Sequence, residues 1–204
     1  KGTIVAIVAG TKSETVINHL QRISSYKRNQ VIEITLDMAN SMKLIARKVF
    51  PKAKQVTDRF HVQKLALEAV QEIRIKLKWE ALDRENEAIT QAKLNKTKFI
   101  TTDFSNGDTA KQLLTRSRFL LYKSQYKWSE NQKERAVILF KEYPELKEAY
   151  LLSQQLRNIY NNNTDKAIAI TKLAHWYNNV ENLGIKSFNT IMNTIKTNYD
   201  SILN

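Results

Sequence analysis

The sequence predicts an α/β layer, a small sheet with flanking helices, over residues 1–95 and an all-α region over residues 96–204. Three observations carry this. The first part alternates short β-branched runs with stretches of helical period, and the second part holds only the helical period. Two of the short runs also end in an aspartate, Asp37 and Asp58. An acid at the carboxyl end of a strand sits where open α/β sheets bind their ligands.

Residues 3–10 form a β-branched run that Gly10 punctuates, which predicts a buried strand. Thr11 with Glu14 reads as a capping box for a helix carrying Val16, Ile17, Leu20 and Ile23 and ending near Ser25. Residues 30–36 alternate, with Ile32, Ile34 and Leu36 on one face, and deliver Asp37. Asn40 or Ser41 is placed to cap the next helix, whose apolar positions Met42, Ile45, Ala46, Val49 and Phe50 stop at Pro51. Residues 54–57 predict a short strand leading to Asp58. From about His61, the positions Val62, Leu65, Ala66, Ala69, Val70, Ile73 and Leu77 mark one long helix reaching towards Asn95.

After a polar break at residues 101–107, helices are predicted over 108–123, 129–143 (capped by Ser129 and Gln132), 144–160, 165–181 (capped by Thr164) and 186–204. The last carries Phe188, Ile191, Met192, Ile195 and Tyr199 on one face.

With 42% hydrophobic residues the chain can bury a core, as one large domain or as one domain with a sizeable insertion. Thirty-three Lys and Arg against 20 Asp and Glu give a net charge of +13, which favours a polyanionic partner, nucleic acid foremost. The excess is concentrated: residues 1–57 hold ten Lys and Arg against Glu14, Glu33 and Asp37. The absence of cysteine excludes a disulfide framework, a thiolate zinc site and a cysteine nucleophile, and fits a reducing compartment. No apolar run approaches the roughly 20 residues that span a bilayer, so a cytoplasmic protein without a membrane partner is expected. The sequence lacks an initiator Met and opens almost directly on a strand, so an internal piece of a longer protein is expected.

Two aspartates at neighbouring strand ends suit Mg²⁺ or Mn²⁺, hard cations that take carboxylate oxygen and leave positions for water and phosphate. The competing reading is that Asp37 and Asp58 cap the turns that follow them. Arg59 and His61 beside Asp58 make D-R-F-H a possible supporting site, against a purely structural role for the histidine. Lys43, Arg47, Lys48, Lys52 and Lys54 form the basic cluster nearest Asp37 and are the first candidates to face DNA. Lys111, Arg116, Arg118, Lys123 and Lys127 run without an acid and interleave with Phe119, Tyr122, Tyr126 and Trp128. Such a pattern either tracks a phosphate backbone with stacked bases or is a solvated helix face whose aromatics are core. No HExxH, Ser/His/Asp order or glycine-rich phosphate loop is present.

The segments ITLDMANSM and FPKAKQVTDRFHVQKLALEAVQEIR closely resemble the core of insertion-sequence transposases of the ISL-three type, a branch of the DDE transposases with a ribonuclease-H-like fold. The resemblance continues through NGDTAKQLLTRSRFLLYKS, WSENQKER and SFNTI and covers nearly the whole chain. It implies that residues 1–95 are a partial ribonuclease-H-like catalytic core and residues 96–204 a helical insertion. It implies that Asp37 is the second acid of the catalytic triad, and that Asp58, Arg59 and His61 support the site or the DNA.

The implied reaction is metal-dependent DNA strand cleavage and strand transfer, with transposon ends and target DNA as partners. The family's first Asp is expected before Lys1 and its Glu after Asn204, so this piece alone is expected to be inactive. The strand predicted at 3–10 would lack its usual neighbour in such a sheet, and exposed edges of that kind favour homo-oligomers. Two readings from other classes stand beside this one: a non-catalytic basic nucleic-acid-binding module, and a basic helical scaffold for assembly.

Overall fold

The computed structural model describes Ile4, residues 6–161 and residues 165–202. Among these, two strands and eleven α-helices form a mostly helical α/β structure. The strands β1 (Glu33–Leu36) and β2 (Lys54–Thr57) pair in parallel, with Leu36 opposite Thr57. Helix α3 (Asn40–Val49) makes the crossover that a parallel pair requires. Ile34 and Leu36 are partly buried while Glu33 and Thr35 are exposed, so the alternation is the predicted one over a shorter span. Ile32 lies before the strand and is 84% exposed.

The strand expected at 3–10 is not formed by its described residues, Ile4 and 6–10, where Ile4 and Ile7 are 81% and 86% exposed. A β-branched run becomes a strand only where a neighbour supplies the ladder, and β1 pairs with β2. Thr3 and Val5 lie outside the described residues. Helix α1 (Ser13–Leu20) starts behind Lys12 with no side-chain cap, so the Thr11/Glu14 box is not made. A separate turn, α2 (Ser25–Arg28), follows it behind Ser24. Arg28 ties this segment down by donating to Ile23 O at 2.9 Å and Val49 O at 2.7 Å. Neither Asn40 nor Ser41 caps α3. Ala39 holds that position, and its N–H donates to Asp37 Oδ1 at 2.9 Å.

The long helix α4 (Arg59–Leu94) starts two residues earlier than expected, because Asp58 is its cap. It ends in a Schellman arrangement: Lys96 adopts φ 53°, its N–H meets Lys93 O, and Thr97 N–H reaches Ala92 O at 2.9 Å. Helices α5 (Ala110–Arg116) and α6 (Arg118–Tyr122) replace the single helix expected at 108–123. At Ser117, between them, the hydroxyl donates to Leu113 O at 2.6 Å. A 3-10 turn at Gln125–Lys127 leads to α7 (Glu130–Glu142), and Gln132 Oε1 accepts from Ser129 N–H as the sequence predicts.

Helix α8 (Pro144–Asn161) is followed by α9 (Lys166–Leu183), which Asp165 caps by accepting from Ala167 and Ile168 N–H. Thr164, the expected cap, lies outside the described residues. The last predicted helix is divided at Asn198 into α10 (Lys186–Thr197) and α11 (Tyr199–Ile202).

The core lies in the helical part. Val62, Ala66, Val70 and Ile73 of α4 pack with Leu113, Leu121, Leu139, Leu156, Leu173 and Ile195. Trp128, Phe140 and Tyr150 pack in one group with tilted rings, and Trp176, Tyr177 and Phe188 pack in another. The partly buried Trp128 indole donates to Leu120 O at 2.8 Å and the buried Trp176 indole to Leu152 O at 2.9 Å, so both are satisfied. The chain then returns to the sheet, where α11 packs on β2 and the Thr57 and Ser201 hydroxyls meet at 2.8 Å.

Candidate active site

Leu36 and Thr57 are register partners, so Asp37 and Asp58 follow at the same level on the carboxyl edge of the two parallel strands. Asp58 N–H donates to Leu36 O at 2.7 Å, which holds that edge together. The sheet thus brings together the two acids that 20 residues of intervening chain separate in sequence. Each spends one oxygen on its own turn: Asp37 Oδ1 accepts from Ala39 N–H and Asp58 Oδ1 from Phe60 N–H, both at 2.9 Å. The structure shows the capping reading for both, and each capping carboxylate keeps a second oxygen. Among the described residues no group of three or more His, Asp or Glu is arranged to hold a metal ion.

His61 is one helical turn beyond Asp58, with Nδ1 at 3.5 Å from Asp58 Oδ2, a loose contact at the limit of hydrogen bonding. Both side chains are about two-fifths exposed. Arg59 is exposed, and so is Phe60 at 66%. Asp58, Arg59, Phe60 and Gln63 line a cleft together with Arg157 and Tyr160 of α8. Burial, with Tyr177 nearby, pushes the Tyr160 hydroxyl well above its ordinary value and keeps it neutral. Sequence reasoning missed Arg157 and Tyr160, which only the packing of α8 on α4 brings to Asp58. The one local signal was the aromatic in D-R-F-H, a large apolar residue in the first turn of a helix where it is left in solvent.

The basic candidates divide by what they touch. Arg47, Lys48, Lys52 and Lys54 are exposed around α3 and the start of β2. Lys43 is partly buried and its ammonium donates to Asn198 Oδ1. Arg116 is committed to Asp108, a carboxylate that is 1% exposed and that Arg135 also meets at 3.1 Å. Burial works against ionisation of Asp108, yet the hydrogen bonds from Arg135 and Arg116 hold it below the usual carboxylate range. Arg118 lies over the Phe119 ring at 5.5 Å, and Lys123 reaches Gln132 Oε1 at 3.3 Å. No helix among the described residues is long and apolar enough to cross a membrane.

No curated protein and no solved structure matches the chain. A family model described as transposase, that of the ISL3-type DDE group, matches residues 1–204, its whole length. This agrees with the resemblance carried by ITLDMANSM and the D-R-F-H segment, and the chain belongs to the ISL3-type transposase family.

Proposed function

We propose that the chain takes part in metal-dependent DNA strand cleavage and strand transfer during transposition of an insertion sequence, with Asp37 as a metal-binding acid. The observation that carries this is the register of β1 and β2, which sets Asp37 beside Asp58 at one carboxyl edge. On this reading β1, α3 and β2 belong to a partial ribonuclease-H-like core within residues 1–95, and residues 96–204 are the helical insertion. The donor chemistry fits Mg²⁺ or Mn²⁺ in part: Asp37 offers a hard oxygen at a partly exposed rim. When bound, such an ion supplies an activated water and offsets charge at the reacting phosphate.

The chain's own residues bind and orient. Arg47, Lys48, Lys52 and Lys54 meet backbone phosphates of transposon-end or target DNA beside the edge. Asp58, Arg59 and His61 shape the adjoining cleft. Among the described residues β1 pairs with β2 alone, and its other edge suits a further strand or a second copy of the chain.

The test is cleavage of transposon-end DNA by the complete protein carrying Asp37→Asn. Loss of strand cleavage with end binding retained is expected, and retained cleavage would remove Asp37 from the site. The reading as a non-catalytic nucleic-acid module draws on the two capping hydrogen bonds, which need no metal. It predicts that metal binding by the complete protein is the same with and without the Asp37 carboxylate.

A further inference from the structure

We propose that the exposed face of α6 and the following 3-10 turn is a stacking surface for unpaired DNA bases, formed by Phe119, Tyr122 and Tyr126 with Arg118, Lys123 and Lys127. The proposal rests on the reading above, that DNA is processed at the neighbouring carboxyl edge. The segment buries other residues: Leu113, Leu114, Leu120 and Leu121 are fully buried, and Trp128 packs against Phe140 and Tyr150. Phe119, Tyr122 and Tyr126 are left outside, at 66%, 37% and 81% exposed. Phe119 and Tyr126 stand mostly in water with Tyr122 partly exposed between them, and aromatics grouped in one short segment mark a contact face.

What covers them is indicated by charge. No acid occurs between Asp108 and Glu130; of the five cations there, Lys111 pairs with Glu85 and Arg116 with Asp108, which leaves Arg118, Lys123 and Lys127 for this face. Arg118 lies over the Phe119 ring and Lys127 over the Tyr126 ring, each at 5.5 Å. A ring with a cation beside it suits a base together with its phosphate.

The surface is also braced and connected. Tyr150 donates to Lys123 O at 2.9 Å, and Arg157 donates to Tyr122 O at 3.0 Å and Ser124 Oγ at 2.8 Å. Arg157 is the same residue that lines the cleft with Asp58, Arg59 and Phe60. One residue therefore lies between the cleft beside Asp58 and the aromatic turn, and exposed Phe60 adds a ring on the cleft side.

The experiment measures binding of the complete protein, in metal-free buffer, to a transposon-end duplex and to the same end with a few unpaired bases carrying 2-aminopurine. Phe119→Ala with Tyr126→Ala is expected to weaken the unpaired probe roughly tenfold, to abolish the change in 2-aminopurine emission and to leave the duplex unchanged. Arg118→Gln with Lys127→Gln is expected to weaken both probes and lower the salt slope by about two. Unchanged affinity for the unpaired probe in the aromatic variant overturns the proposal. A changed oligomeric state with unaltered 2-aminopurine emission also overturns it and makes the face a protein interface. Because no cleavage is read, failure here is distinct from failure of the Asp37 assignment.

Discussion

The part of the chain before Asp58 and the helices after it are held in different ways. Before α4, the buried apolar side chains among the described residues are Ile45, Ala46 and Val49, all on one helix, while Ile4, Ile7 and Ile32 stand in solvent. After it, the core runs continuously from Val62 to Ile195 and includes Tyr150, Trp176 and Phe188 at 1% exposure or less. The acid-bearing edge is thus the thin part of the molecule. It is propped by the thick part, through Asp58 at the head of α4, Lys43 on Asn198 and Thr57 on Ser201. The helical region is therefore a scaffold for the sheet's edge as well as a surface of its own.

If the helices support themselves, damage there is costly for the whole chain. Trp176→Ala removes a buried indole and its hydrogen bond to Leu152 O. It is expected to lower stability by about 3–5 kcal/mol in urea denaturation. A loss under about 1 kcal/mol would show that the two regions do not differ as argued.

Asp108→Asn comes next, at about 2 kcal/mol, because the variant leaves Arg135 and Arg116 facing a neutral group. Its pH dependence has a definite sign. The folded carboxyl is held below its ordinary 3.8, so its contribution is fully present above that value and is lost as pH falls through the lower folded value. Denaturation series at falling pH should therefore show the gap between wild type and variant closing below about pH 4. A gap that stays constant would mean that the ion pairs contribute nothing through charge.

Much of this contrast was legible in the sequence. The 3.6-residue period of Phe188, Ile191, Met192 and Ile195 gave the last helix its buried face, and all four are buried. Pro51 stopped α3, and the short run after it became β2 at the expected residues. The failures share a cause. The run at 3–10 has strand composition, but a strand depends on a partner that local pattern does not report. The division of the helix at Ser117 likewise has no signal in the local apolar period. The shared placement of Asp37 and Asp58 at one strand edge was legible because both end apolar runs. Arg157, Asn198 and Ser201 were not, because they reach the edge through packing of distant helices.

Asp58 sharpens the contrast between support and chemistry in one position. Its carboxylate caps α4, so Asp58→Ala is expected to cost about 1 kcal/mol, whereas Asp58→Asn retains an equally good cap and is expected to be neutral in stability. Strand cleavage by the complete protein carrying Asp58→Asn then isolates the charge. Lost cleavage at unchanged stability gives Asp58 a part in the chemistry, and full cleavage leaves it a cap.

The smallest expected effect tests whether the helical region really holds the edge. Ser201 Oγ–H donates to Asn198 O at 2.9 Å, so in the 2.8 Å contact with Thr57 it is the Thr57 hydroxyl that donates. Thr57 is 6% exposed, and Ser201→Ala leaves that buried donor without its acceptor. The cost is about 0.5–1 kcal/mol, too little to alter global unfolding much. Its location is what matters. Amide exchange should quicken at Asp58, whose N–H bridges to Leu36, and along β2, while amides of α8 and α9 stay as protected as before. Equal acceleration in both places would mean that the thin and thick parts open together, and the edge would then need no prop.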